Sequence, residues 1–304
     1  MEINKVHNID FLNNTLPDKC ANLIIADPPY YKTKGEFDFI WKTFDDYLVD
    51  VEKWCLECKR LLADNGTLFW YGGSKNIAYS QIIFDRHFNL LNNLTWNKGS
   101  FMGLEESETL RSFAPCTERI LMYEINYVES NRNYIRAEII KAKGKIILKQ
   151  INEVLGTATN GGGVASACLS LDKAQPMMFT EEFYIKLQKW CYPYLQKDYN
   201  DLRRPFNNKF NLQEVLNFSN EAVKTGAKYD HDTVKPETLT RALIMTTAKE
   251  NDLVIVPFAG SGTECAMAVK EKCNFYGFEI TRKHAEMSNK RVNKIMCNPC
   301  LPFE

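Results

Sequence analysis

The sequence predicts an α/β fold built on one twisted, largely parallel sheet. Short apolar segments alternate with amphipathic helical segments in the first part of the chain, and the alternation returns in the last part. Strands connected by helices in this way usually pair in parallel. One apolar segment also leads directly into Gly260-Ser261-Gly262. A strand, a glycine-rich turn and a helix in this order form a Rossmann-like nucleotide-binding unit.

The individual elements follow from hydrophobic periodicity and turn residues. Apolar side chains at three- and four-residue steps predict helices, and short apolar runs predict strands. A turn over residues 64–66 is expected to end the first helix. The predicted strands cover residues 4–8, 23–26, 67–71, 90–96, 118–127, 253–256 and 275–278. The predicted helices cover residues 41–62, 77–88, 237–249, 263–270 and 282–294.

The regular alternation stops at about residue 128 and resumes after residue 215. The intervening stretch contains charged β-like segments at 134–140 and 145–151, a glycine-rich joint at 160–163 and an aromatic helical segment at 183–194. We therefore predict one domain formed by residues 1–127 and 216–304, and an inserted region at 128–215.

Composition and charge predict a soluble cytoplasmic protein. The chain has 304 residues, 45% of them hydrophobic and 25% charged, with a formal net charge of zero. No apolar run approaches the ~18 residues that a membrane span needs, and the N-terminus has no secretory signal pattern. Ten scattered cysteines favour reduced thiols. Two Cys-x-x-Cys pairs, at 55–58 and 297–300, leave zinc as an alternative, but the first has core spacing within a helix, so no metal is predicted.

The strand at 23–26 ends on Asp27-Pro28-Pro29-Tyr30. Proline fixes its own φ and offers no N–H, so the strand must end there. This places a carboxylate, a stiff backbone and an aromatic ring at the edge of the sheet where α/β proteins bind ligands. The polar segment at 31–38 is expected to form a mobile loop beside this site.

Asp27-Pro28-Pro29-Tyr30 resembles the catalytic tetrapeptide of the amino-group DNA methyltransferases, which methylate adenine N6 or cytosine N4. The resemblance implies that Asp27 and the Pro28 carbonyl accept hydrogen bonds from the amine of a flipped base, and that Tyr30 stacks on it. Asp10 matches an acidic residue that binds the cofactor's adenine in this family, although an Asp at this place can also cap the next helix.

The glycine-rich turn predicts a nucleotide-like cofactor. Gly260 and Gly262 remove side chains where a ligand approaches the backbone, and Glu279 ends the next strand about 20 residues later, where dinucleotide folds place an acid for ribose hydroxyls. The third glycine of a dinucleotide motif is absent, since Cys265 stands there, and no P-loop lysine follows.

Residues 258–263 instead resemble the S-adenosylmethionine motif of the same family, and residues 231–236 resemble its short His-Pro-Thr-x-Lys-Pro signature. Two positions depart from the family pattern, with Val256 for the usual Asp and Asp232 for the usual Pro. The absence of the acid at Val256 is expected to weaken cofactor binding or, at the extreme, to mark an inactive member. The resemblance implies cofactor contacts from Asp10, Phe11, Asp27, His231, Thr233, Lys235, Phe258, Gly260, Ser261, Gly262, Thr263 and Glu279.

The order of the motifs is informative. The tetrapeptide comes first, the insertion second and the cofactor motif last, which is the circularly permuted order of the β class, whose insertion recognises the target DNA. A basic segment at 132–149 carries six basic residues and one acid. Such runs are often solvated surface, yet in a neutral chain they also suit phosphate contact. The candidate DNA-binding residues are Lys141, Lys143, Lys145, Arg203 and Arg204.

The resulting hypothesis is a site-specific adenine-N6 DNA methyltransferase of prokaryotic or phage origin. Asp27, rather than a serine, favours adenine over cytosine N4 within the family. The alternatives are a cytosine-N4 or RNA methyltransferase and, from another class, a catalytically silent protein that binds DNA or the cofactor. The sequence leaves a restriction endonuclease partner and a homodimer open.

Overall fold

The computed structural model describes residues 1–32, 36–99, 113, 115–160, 162–173, 176–219 and 234–297. The chain divides into two compact units. The first unit comprises Met1–Ile125 and Pro205–Glu304, and the second comprises Asn126–Arg204. Residues 205–215 of the predicted insertion therefore lie in the first unit, and the second unit begins at Asn126.

A mixed eight-stranded sheet forms the centre of the first unit. Its strand order is β1-β8-β7-β2-β3-β5-β4-β6. The strands are β1 (Lys5–His7), β2 (Ala21–Ala26), β3 (Leu62–Gly72), β4 (Asn89–Asn97), β5 (Thr117–Glu124), β6 (Val215–Asn217), β7 (Leu253–Val256) and β8 (Asn274–Phe278).

Strand direction departs from the prediction in one part of the sheet. The strands β1, β8, β7, β2 and β3 pair in parallel, as the α/β pattern predicts. However, β5 runs antiparallel to both β3 and β4, so the expectation of parallel pairing is wrong there. The apolar run Ile120-Leu121-Met122-Tyr123 identifies a buried strand, but hydrophobicity alone carries no information about its direction.

Helices of the first unit pack on both faces of the sheet. The described helices are α1 (Phe44–Leu61), α2 (Ile77–Phe84), α3 (Tyr127–Lys143), α4 (Leu148–Leu155), α5 (Gly163–Leu169), α6 (Glu181–Cys191), α7 (Tyr199–Leu202), α8 (Glu237–Thr247), α9 (Thr263–Lys270) and α10 (Arg282–Cys297). No helix among the described residues is both long enough and apolar enough to cross a bilayer.

Alternation along β2 divides the core of the first unit in two. Leu23 and Ile25 join the core that contains α8, α9 and α10, whereas Ile24 and Ala26 join the core that contains α1 and α2. The first helix begins later than predicted because Thr43 caps it through the N–H of Asp46. The predicted turn at 64–66 is wrong, since these residues belong to β3 and lie where its register with β2 shifts.

The second unit, Asn126–Arg204, is helical and has its own apolar core. The β-like segments predicted at 134–140 and 145–151 are wrong, because they lie mainly in α3 and α4. Ile135 and Ile139 are buried one helical turn apart, as are Ile151 and Leu155. The three isoleucines are β-branched and favour strands locally, but packing of these four-residue repeats into one core overrides that preference.

Candidate active site

The parallel sheet brings the two predicted motifs to one edge. Asp27 follows the last residue of β2, and Pro257 follows the last residue of β7, which pairs in parallel with β2. The carboxyl ends of parallel neighbours meet at the same edge of a sheet. A cavity of about 530 Å³ opens there, within the size range of small-molecule sites. It is lined by both the tetrapeptide and part of the glycine turn.

Four charged side chains form a network that includes Asp27 of the tetrapeptide. The Lys235 Nζ lies 2.7 Å from Asp27 Oδ2 and 3.3 Å from Glu118 Oε2. The Lys98 Nζ pairs with the second carboxylate oxygen of Glu118 at 2.5 Å. The Tyr30 hydroxyl donates to Asp27 Oδ1 at 2.8 Å. Both oxygens of Asp27 are therefore held in a defined orientation.

Ion pairing opposes the effect of burial on the charged groups of this network. The pKa of Lys235 lies above its ordinary value, because Asp27 and Glu118 outweigh the effect of burial. Burial likewise acts against the Glu118 carboxylate, but Lys235 and Lys98 hold its pKa below the ordinary value. Burial raises the pKa of Asp27, and Lys235 opposes that rise. Burial also raises the pKa of Tyr30, so its phenol stays neutral and donates.

The segment after the tetrapeptide is tied to it by a buried acid. Asp38 is 2% exposed, and its Oδ1 accepts from the backbone N–H of Tyr30 at 2.5 Å. Asp38, the last residue of the segment predicted to form a mobile loop, is therefore buried, and its carboxylate fixes the backbone of Tyr30. Residues 33–35 of this segment lie outside the described residues.

The glycine turn is shaped by left-handed backbone conformations. Gly260 has φ +47° and Gly262 has φ +75°, values that side-chain-bearing residues rarely adopt. A Cβ at Gly262 would lie 2.8 Å from the Cβ of Ser288. The Glu279 carboxylate supports the turn by accepting from the N–H of Gly260 at 2.9 Å and from that of Thr281 at 2.8 Å.

Aromatic side chains and Asp10 form another part of the cavity wall. The Phe11 and Phe258 ring centroids lie 6.2 Å apart, and Trp54 packs edge-on against Phe258 with centroids 5.0 Å apart. The Asp10 carboxylate accepts from the N–H of Leu12 at 2.9 Å and so caps the short 3-10 helix that begins at Phe11. Asp10 therefore caps the short helix, and it also lines the cavity.

The cavity lining is strongly acidic in a chain whose net charge is zero. Seven described carboxylates line it against three lysines and one histidine, an excess that favours a cationic ligand. These side chains are Asp10, Asp27, Asp38, Asp50, Glu118, Glu264, Glu279, Lys53, Lys98, Lys235 and His284.

Most of the predicted site residues come together. Those that line the cavity are Asp10, Phe11, Asp27, Pro28, Pro29, Tyr30, Lys235, Phe258, Gly260, Ser261 and Glu279. Gly262 and Thr263 do not line it. The Thr263 hydroxyl instead accepts from Arg291 at 2.8 Å and lies 3.2 Å from Ser261 Oγ, which supports the turn from behind. His231 and Thr233 lie outside the described residues.

Sequence reasoning missed several cavity residues, and Glu118 and Glu264 are the two acids among them nearest to Lys235. In sequence, Glu118 resembles the ordinary polar end of a strand. Glu264 lies in the first turn of α9, where an acid is a common partner of the helix dipole. Only the tertiary structure buries Glu264 and encloses Glu118, whose side chain is 15% exposed, beside Asp27 and Lys235.

The basic residues of the second unit serve different purposes. Arg132 is buried and donates to the carbonyls of Ser170 and Lys173, and Arg136 donates to that of Leu169. These two arginines hold helices together, so the basic run is less exposed than its sequence indicates. Lys141, Lys143, Lys145 and Arg203 are exposed, and Arg204 is partly buried 5.7 Å from the Tyr127 ring centre.

The zinc alternative gains no support from the described residues. Cys55 and Cys58 are buried in α1, and no group of three or more potential ligand side chains forms a metal site among the residues described. Burial raises the pKa of Cys55 to about 12, which disfavours the thiolate that would bind zinc.

A family model described as DNA methylase, of the N6/N4 amino-methyltransferase type, matches residues 21–290. The chain belongs to this DNA methylase family. The protein is therefore a DNA methyltransferase that acts on amino groups, and S-adenosylmethionine is the cofactor of this family.

Curated relatives of this DNA methylase include type II methyltransferases and a DNA adenine methyltransferase. The type II methyltransferase M1.MboII of Moraxella bovis is 26% identical, over 98% of this chain and 100% of the relative. The type II methyltransferase M.HinfI of Haemophilus influenzae is 25% identical, over 94% of this chain but 66% of the relative. The DNA adenine methyltransferase YhdJ of Escherichia coli K12 is 24% identical, and the match covers 91% of this chain and 78% of the relative.

Solved structures share the fold of this DNA methylase. The M1.HpyAVI complex with SAM has a TM-score of 0.52 at 16% identity, covering 90% of this chain and 89% of that one. The cytosine-N4-specific PvuII DNA methyltransferase has a TM-score of 0.56 at 12% identity, covering 97% and 93%. The likeness to these two structures shows the fold and leaves the target base to other arguments.

Proposed function

We propose that this DNA methylase transfers a methyl group from S-adenosylmethionine to adenine N6 of a flipped base, with Asp27, Pro28, Pro29 and Tyr30 as the catalytic segment. The observation that carries the proposal is the oriented Asp27 carboxylate, which shares one cavity with the glycine turn.

The geometry of Asp27 suits a base amine. A carboxylate has about four acceptor positions, and the interactions with Tyr30 and Lys235 use one on each oxygen. The side chain keeps 18% exposure, so a base in the cavity can reach the remaining positions. A fixed carboxylate at the amine also stabilises the positive charge that develops on nitrogen during methylation. Positioning and electrostatics then suffice without a nucleophilic side chain.

The residues present fit S-adenosylmethionine, which supplies an electrophilic sulfonium methyl group when bound. The left-handed turn at Gly260 brings backbone to the cavity, and Phe11 and Phe258 offer apolar faces for an adenine ring. Glu279 directly follows β8 at the ligand edge, where it can accept from ribose hydroxyls while it supports the turn. The acidic lining complements a cationic cofactor.

The assignment to adenine rests on Asp27 as the first residue of the tetrapeptide. It is tested by incubating the purified protein with mixed-sequence duplex DNA and S-adenosylmethionine labelled in the methyl group, followed by separation of the nucleosides. We expect the label in N6-methyladenine. Label in N4-methylcytosine would replace the adenine assignment with the cytosine alternative, and label in neither nucleoside would contradict both.

Glu279→Ala is predicted to weaken S-adenosylmethionine binding by about tenfold or more, since it removes an acceptor for the ligand and the support of Gly260. Isothermal titration calorimetry measures this change in affinity. Glu286→Ala, which removes an exposed carboxylate paired with Arg282 on α10, is the matched control. Equal affinities for the two variants would show that Glu279 has no part in the cofactor site.

We further infer that the second unit, Asn126–Arg204, recognises the target DNA, and that the chain has the permuted β-class order. In support, Asp27 and Tyr30 precede this unit in the chain, the cofactor turn at Gly260 follows it, and the unit presents several exposed basic side chains. The type II relatives support a restriction endonuclease partner.

Replacing Lys141, Lys143 and Lys145 together by glutamine is predicted to weaken binding to all DNA sequences alike. All three are exposed, and ion pairs with phosphates contribute affinity without sequence information. The slope of log affinity against log salt should become shallower by about 0.9 for each lysine–phosphate ion pair that the substitutions remove. Fluorescence anisotropy over a salt series measures the slope.

The matched control neutralises Lys5, Lys19 and Lys272, three exposed lysines of the first unit that pair with acids. It changes the net charge of the protein by the same amount. An equal change of slope for both triple variants would mean that Lys141, Lys143 and Lys145 make no special interaction with DNA.

A further inference from the structure

Glu264 is a buried acid with one carboxylate oxygen unsatisfied within the described part of the chain. It lies in the first turn of α9, is 4% exposed and lines the cavity. Its Oε1 atom has no hydrogen-bond partner among the residues that the structure describes. A buried carboxylate oxygen without a donor is costly, so its presence beside a ligand cavity calls for a ligand donor.

The nearest cations are engaged by other groups. Lys235 pairs with Asp27 and Glu118. The guanidinium of Arg291 donates to Glu237 at 2.6 Å and also to the Ser261 carbonyl and the Thr263 hydroxyl. Burial, and next the charge of Asp27, raises the pKa of Glu264 to about 7. A backbone hydrogen bond, Lys235 and Arg291 oppose this rise without cancelling it, so the protein stabilises the charged carboxylate only in part.

The strand β7, which leads into the glycine turn, contains no acid that could take the place of Glu264. β7 ends on Val256, which is apolar and fully buried. Within the segment from Val256 to Glu264, the cavity-lining side chains that carry oxygen acceptors are those of Ser261 and Glu264. Of these, only Glu264 carries a negative charge.

We propose that Glu264 binds the α-ammonium group of the methionine part of S-adenosylmethionine and makes the site selective for cofactors that carry this group. The inference rests on the assignment of the cofactor and not on the choice of target base. An ammonium has three N–H donors for the unpaired Oε1. The sulfonium has no N–H to donate, so it would leave Oε1 unsatisfied.

Glu264→Gln keeps the shape of the side chain and removes its charge, and calorimetry with three ligands tests the proposal. S-adenosylmethionine carries both cations, S-adenosylhomocysteine keeps the ammonium without the sulfonium, and 5′-methylthioadenosine has neither. We expect the variant to bind the first two about tenfold or more weakly and the third within about twofold of wild type. Glu250→Gln, an exposed acid paired with Lys272, is the control.

A measurement of thermal stability shows whether Glu264→Gln is folded. It also tests the premise that the charge of buried Glu264 is not fully compensated in the wild-type protein. The pKa of Glu264 is raised to about 7 in the folded protein, from about 4.5 in the unfolded chain. Between these two pH values, Glu264 is therefore protonated in the folded protein but mostly ionised in the unfolded chain. Wild type therefore loses stability relative to Glu264→Gln as the pH rises through this window. The Tm of the variant should exceed that of wild type by a few degrees at pH 8 and by less at pH 5. The charged or titratable groups that act on Glu264 are Asp27, Lys235, Arg291, Tyr71 and Cys265, all of which both proteins share.

Three outcomes would overturn the proposal. Weaker binding of S-adenosylmethionine alone would assign Glu264 to the sulfonium. An equal reduction in affinity for all three ligands would make its role structural. Unchanged affinities, or a Tm difference that does not grow with pH, would show that Glu264 is neither a ligand-binding group nor an uncompensated buried acid. Failure of wild type to bind S-adenosylmethionine at all would count against the cofactor site itself.

Discussion

Asp27→Ala abolishes methyl transfer, with an expected reduction of about 10²- to 10³-fold or more in rate, while S-adenosylmethionine binding stays within a few-fold of wild type. The variant removes the carboxylate that we assign to the base amine. It should fold, because the buried Lys235 still has Glu118 at 3.3 Å as a partner. A single-turnover assay with labelled cofactor measures the rate, and calorimetry measures the affinity.

The control for this variant is Asp64→Ala, which also deletes a carboxylate paired with a lysine, Lys19 at 2.8 Å, but on the surface. It should transfer methyl groups at the wild-type rate. If Asp27→Ala were to remain as active as this control, the catalytic segment would have to lie elsewhere in the chain.

Exchange of residues 126–204 for the corresponding unit of a relative is expected to redirect methylation to the relative's recognition sequence. The exchange follows the limits of a unit that has its own apolar core, so both parts should keep their packing. Arginine side chains that reach base edges carry discrimination, and Arg203 and Arg204 at the end of this unit are candidates. The measurement is a map of the methylated positions in a plasmid library.

The exchanged protein must first be shown to transfer methyl groups, because an inactive chimaera carries no information about recognition. An active chimaera that still marks the original sequence would mean that recognition lies in the first unit. A variant with only residues 205–215 exchanged, a segment of the first unit, serves as the control and should keep the original sequence.

The part of the site that the sequence reveals lies where local chemistry leaves little choice. Two prolines must end β2 beside Asp27, and the left-handed backbone at Gly260 and Gly262 requires glycine. The apolar strands that carry these segments are readable as short buried runs. The sequence therefore predicted both motifs and the edge of the sheet at which they meet.

The rest depends on tertiary structure. The direction of β5 and the helices at 127–155 are set by packing that local propensity does not encode. Glu118 and Glu264 resemble ordinary polar residues until the fold places them near Lys235. Arg132 likewise reads as part of a basic surface, although it is buried against backbone carbonyls.

Single-molecule sequencing of DNA from a host without its own methyltransferases tests the central claim most directly. With the wild-type chain expressed, we predict N6-methyladenine at one short sequence motif throughout the genome, and no such motif in cells that express Asp27→Ala. The absence of any methylated motif with a folded wild-type protein, or the same motif in both strains, would contradict the account.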